Sequence, residues 1–127
     1  MNLGEPNSAP AGMSSVSSVT TERPARYGKQ LVGHLGRRAG GEWSAETESG
    51  WVQLGDMGRA ELTAETDTLV LQVFGPDAET IERLEQVVGR HLVRFGAKDE
   101  LAVAWVRDDG TPGTEQRFSD PEPVQAG

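Results

Sequence analysis

His34 and His91 are the two histidines of a 127-residue chain that has no cysteine. Neutral imidazole is the commonest protein ligand for a transition metal or haem iron, which makes His34 and His91 candidate metal ligands. A closed metal site needs about four donors, and no HxH, HExxH or His/Asp cluster supplies the others. The competing reading makes each ring a half-buried residue at a helix edge, bonded to a backbone carbonyl or to water. A second set of side chains has a sign. Arg23, Arg26, Lys29, Arg37 and Arg38 are five of the 12 Lys and Arg, with no acid among them, in a chain of net charge -8. The planar guanidinium fork suits carboxylate and phosphate, so these five form a candidate anion- or partner-binding face. It could pair with Glu42, Glu46 or Glu48, dock an acidic protein or a second subunit, or hold a small anion such as a carboxylate, a catecholate or a phosphate-bearing cofactor. Nucleic acid fits poorly, because the chain is acidic overall and carries no interleaved aromatic platform on this face.

Catalytic constellations are scarce. There is no GxSxG elbow and no cysteine nucleophile, and neither histidine has a Ser or Thr at a recognisable spacing. The carboxylate pairs Glu46/Glu48 and Asp108/Asp109 fall at turns, where adjacent acids are usually solvated. The glycine-rich GRRAGGEW follows a helix instead of joining a strand to one, the wrong context for a phosphate cradle. These observations favour a non-catalytic binding or accessory module; a small enzyme of unassigned type is the third reading, behind an iron- or haem-binding protein that uses His34, with or without His91. Which cofactor, if any, the protein takes is unknown from the residues themselves.

The elements that must position these side chains follow from periodicity. From Thr21 the pattern is helical, with Pro24 in the first turn, Tyr27, Leu31, His34 and Leu35 on one face, and Gly36 as the terminator. On the wheel Arg26 and Arg37 point nearly the same way, with Arg23 and Lys29 to either side, over 100° from that stripe. After Gly40 the period becomes two: EWSAE and WVQL form one hairpin, GRAELTA and TLVLQVF another. A second helix starts at Asp77 and ends at Gly96, with Ile81, Leu84, Val88, His91, Leu92 and Phe95 as its stripe. ELAVAWVR is a last strand, with Leu101, Val103 and Trp105 inward. The expected fold is α+β: helix, four-stranded antiparallel meander, helix, then a strand on an edge of the meander, both helices on one face. Trp43 and Trp51 flank the first hairpin as cross-strand partners, or join Phe74, Val70 and Val106 on an open face as an apolar surface for a homodimer or a ligand.

Residues 1–20 and 110–127 are rich in Ser, Pro and Gly without apolar periodicity, and read as disordered tails around one domain, 21–109. No signal peptide and no membrane span is expected, which suits the cytoplasm. Met13 is a second potential start and leaves the fold reading unchanged.

TERPARYGKQLVGHLGRR, with Arg23, Pro24, Arg26, Tyr27, Gln30, Leu31 and His34, resembles the opening of the bacterial family catalogued as domain of unknown function 2218. GRAELTAETDTLVLQV, IERLEQVVGRHLVRFG and ELAVAWVR extend the resemblance over roughly Thr20 to Asp108. It implies a small cytoplasmic bacterial domain often encoded near siderophore-interacting, flavin-dependent ferric reductases, and it transfers no catalytic residue.

Overall fold

The computed structural model describes residues 12–117. Among the described residues seven strands and two helices follow in the order β1 (Met13–Thr20), α1 (Pro24–Ala39), β2 (Gly41–Ser44), β3 (Ser49–Leu54), β4 (Gly58–Glu65), β5 (Thr68–Gly75), α2 (Ala78–Phe95), a 3-10 turn (Ala97–Asp99), β6 (Ala102–Arg107) and β7 (Pro112–Arg117). They form one sheet in the order β2-β3-β4-β5-β1-β6-β7, antiparallel at each pairing. The α+β class and the β2 to β5 meander agree with the periodicity; the strand count does not. Residues 13–20 and 112–117, read as tail, are strands, while the tail reading of 1–11 and 118–127 falls outside the described residues.

The last predicted strand, β6, therefore does not join the meander. It pairs with β1, which has inserted itself beside β5. The physical reason lies in what β1 turns inward. Ser15, Ser17 and Val19 are buried, so two of the inward residues are serines, and the apolar alternation of the segment is correspondingly faint.

Register assigns the faces. Val52, Ala60, Val73 and Ser15 lie in one cross-strand row, as do Leu62, Leu71 and Ser17. These strand residues are buried, and the apolar ones share one core cluster with Tyr27, Leu31 and Val32 of α1 and Ile81, Leu84, Val88 and Leu92 of α2. Both helices thus cover the same face. Helix α1 runs past Gly36 and ends at Gly40, which takes φ 111° and donates its N–H to the Gly36 carbonyl at 3.0 Å. That left-handed conformation suits glycine, so Gly40 is the better terminator. Gly28 has a different reason: a Cβ there would come within 2.7 Å of the Trp43 ring, so the glycine that weakens the helix lets it settle on β2. Asp77 caps α2 as expected, accepting the Thr80 N–H at 2.8 Å.

Candidate functional site

The outer half of α1 meets α2 beside the β3–β4 turn, and the three elements enclose a groove of about 630 Å³. His34, Leu35 and Arg37 line it from α1, His91 and Val87 from α2, and Leu54, Asp56 and Met57 from the end of β3 and the turn. Gln53 braces that turn, its Nε2 donating to the carbonyls of Gly55 (3.0 Å) and Gly58 (3.1 Å). Leu35, Leu54, Met57 and Val87 give it aliphatic walls; the polar side chains are two imidazoles, the Arg37 guanidinium, the Gln53 amide and the Asp56 carboxylate. A concave, largely apolar surface with a few convergent polar groups is the usual form of a small-molecule site.

The two histidines, 57 residues apart in sequence, have ring centroids 5.0 Å apart at 43°. Phe95 stands edge-on to His34, centroids 5.4 Å apart, and backs both rings. His91 Nδ1 lies 2.7 Å from the Val87 carbonyl. A carbonyl only accepts, so Nδ1 carries the proton and, in the neutral ring, Nε2 keeps its lone pair. His34 is exposed, on the flank of α1 and not on its buried stripe, whose members are Tyr27, Leu31 and Val32. Among the described residues no group of three or more His, Cys, Asp or Glu could hold a metal ion.

The members of the basic set part company. Arg26 and Lys29 are exposed on the outer side of α1, Arg37 reaches the groove, and Arg23 lines a separate depression of about 460 Å³ together with Asp67 and Asp99. Arg38 lies in α1, and its side chain is outside the described set. None of the ion pairs between described residues involves Arg23, Arg26, Lys29 or Arg37. Tyr27 is core: its hydroxyl donates to Asp99 Oδ2 at 2.6 Å, and that hydrogen bond, with burial, raises the phenol above its ordinary pKa.

The tryptophans separate too. Trp43 pairs with Gly50 and packs under α1 against the core, so it belongs to the covered face and is no partner of Trp51. Trp51 and Phe74 stand on the open face with Val106. Trp51 is 38% exposed and Val106 53%. The Arg59 guanidinium lies 5.4 Å from the Trp51 ring centre and pairs with Glu61 at 3.0 Å, a partly polar surround for that apolar patch.

A second polar cluster went unread in the sequence. Glu85 is fully buried on α2. It accepts from Arg107 Nε (3.1 Å) and from the backbone N–H and hydroxyl of Thr114 (both 2.9 Å). Burial pushes its carboxyl up, but the hydrogen bonds from Arg107 and Thr114 outweigh it and hold the carboxyl below its ordinary value. The chain of bonds continues: Gln116 Nε2 donates to the Thr114 hydroxyl and Gln116 Oε1 accepts the Trp105 indole N–H, each at 2.8 Å. One signal was available. Glu85 falls within the Ile81, Leu84, Val88 stripe, and a charge in an apolar stripe demands a buried partner.

A family model described as an uncharacterized protein conserved in bacteria (DUF2218) matches residues 16–106. The chain belongs to the DUF2218 family. That match runs from β1 through β6 and includes His34, Arg37, Asp56 and His91; Thr114 and Gln116 lie beyond it. Among solved structures, the NMR structure of PA4090 from Pseudomonas aeruginosa is similar to this DUF2218 chain at 31% identity and a TM-score of 0.60, covering 73% of this chain and 94% of that one. No curated protein matches. Among the described residues, no helix is long and apolar enough to cross a membrane.

Proposed function

We propose that this protein is a non-catalytic binding module that holds a small anionic ligand in the groove between α1, α2 and the β3–β4 turn. The observation that carries the reading is the convergence of Arg37, His34 and His91 on one aliphatic-walled groove large enough for a drug-sized molecule. Arg37 would take a carboxylate by charge-assisted hydrogen bonds, Leu35, Leu54, Met57 and Val87 would cover an apolar or aromatic body, and Asp56 would accept a hydrogen bond from a hydroxyl. A catechol carboxylate satisfies each requirement, and it agrees with the association with iron and siderophore metabolism that the family resemblance suggested. Docking of an acidic protein on Arg26 and Lys29 is the competing use of the same helix.

Calorimetric titration of metal-free protein with 2,3-dihydroxybenzoate tests the reading. Saturable binding of one molecule is expected. A charge-assisted hydrogen bond contributes about 1.5–3 kcal/mol, so Arg37→Ala should weaken binding by about 10- to 100-fold. Reversing Arg26 and Lys29 to Glu should leave it nearly unchanged. Absence of binding, or insensitivity to Arg37→Ala, refutes the groove; loss on charge reversal alone would move the site to the outer face.

A further inference from the structure

We infer that His34 and His91 form an open two-nitrogen half-site for a borderline divalent transition-metal ion, with the remaining coordination positions facing the groove. The inference rests on the groove reading above only for what completes the coordination sphere, which would be a bidentate oxygen chelator such as a catechol.

Geometry comes first. With a metal–nitrogen bond of about 2.0–2.1 Å and roughly 1.1 Å from nitrogen to ring centre, two imidazoles sharing one ion at about 90–110° have centroids about 4.5–5.2 Å apart. The observed separation is 5.0 Å. The rings come from two helices fixed in the same core, so each is carried on a rigid element. Coordination also requires a free lone pair and a set orientation, and His91 has both: its Nδ1–H donates to the Val87 carbonyl at 2.7 Å, the outer-shell bond that metal-ligating histidines usually make. Phe95 packs against the His34 ring in a T-shaped arrangement, with centroids 5.4 Å apart.

Two donors are too few for a structural site, in which the protein closes the coordination sphere. No third His, Cys, Asp or Glu among the described residues is placed to join them. An ion held here keeps open positions and is therefore a place where a chelating ligand can attach. Imidazole pairs suit Zn, Ni, Cu and Fe in their divalent states better than Mg or Ca.

The test is titration of Zn²⁺ into chelator-stripped, dialysed full-length protein, followed by calorimetry and by long-range 15N NMR of the imidazoles. One ion per chain is expected, with both histidine signals moving in the wild type. His34→Ala and His91→Ala should each lower affinity at least ten-fold (about 1.4 kcal/mol or more), and the double variant should bind none. Saturable binding retained in the double variant, loss in only one single variant, or imidazole signals that ignore the ion in the wild type would each overturn the half-site. The NMR measurement needs no variant, so a substitution that damages folding does not spoil it. Titrating 2,3-dihydroxybenzoate without metal separates the two readings: anion binding without zinc binding sinks the half-site alone, and zinc binding without anion binding sinks the anion reading alone.

Discussion

Helix α2 carries a polar cluster near each of two faces, and they are built on opposite terms. Toward β7, Glu85 is fully buried and accepts from Arg107 and Thr114, and Gln116 links Thr114 to the Trp105 indole. Toward α1, His91 and the exposed His34 face a groove with Arg37 and Asp56, and apart from the Val87 bond none of these four side chains makes a hydrogen bond among the described residues. A buried polar group must be satisfied inside the fold or it costs stability, whereas a groove group can leave donors and lone pairs to solvent until a ligand arrives. The first cluster therefore has architectural work, attaching β7, and the second has chemical capacity to spare.

The contrast breaks first at Glu85. Replacing it with Ala strips a half-buried guanidinium and the Thr114 N–H of their acceptor, and breaking a buried pair in this way costs about 3 kcal/mol, the low end of the usual range because Arg107 retains some contact with water. Urea denaturation measures it. The same group sets an acid response. Its folded-state pKa is depressed, so its contribution is present above the ordinary carboxylate pKa and is lost as pH falls through the folded-state value. Glu85→Ala should accordingly flatten the stability profile on the acid side while leaving its shape near neutrality alone.

A smaller effect is expected at Gln116. Gln116→Ala leaves the buried Trp105 N–H without an acceptor, a loss of about 2 kcal/mol in denaturant midpoint analysis, accompanied by faster amide exchange along β7. At the groove the expectation nearly vanishes. His34→Ala and Arg37→Ala remove exposed side chains and should shift stability by no more than about 0.5 kcal/mol in the same assay. A large destabilisation at either would erase the distinction between the clusters and make the groove part of the scaffold.

Legibility in the sequence followed the size of the apolar signal. α2 announced itself through Asp77, its stripe and Gly96, and the four meander strands through alternation, because large aliphatic side chains at a fixed period report burial directly. β1 and β7 did not. In β1 the inward residues include Ser15 and Ser17; in β7 the buried residue is Gln116, and Pro112 suits an edge strand. Segments whose inward residues are small and polar, or that are held by polar bonds to a distant helix, have the composition of linkers. A charge inside a stripe, Glu85, was the one visible warning that a partner strand was missing.

The site divides along the same line. That His34 and Arg37 lie on α1 and His91 on α2 followed from local helical periodicity, but the stripe that included His34 did not foretell its exposed place on the flank. That the imidazoles meet at 5.0 Å, that Arg37 joins them while Arg23 does not, and that Asp56 and Met57 complete the groove depended on how the helices cross the sheet and where the β3–β4 turn ends. Periodicity orients a side chain about its own axis, but the distance between two axes comes from the volumes packed between them, and those belong to the whole chain.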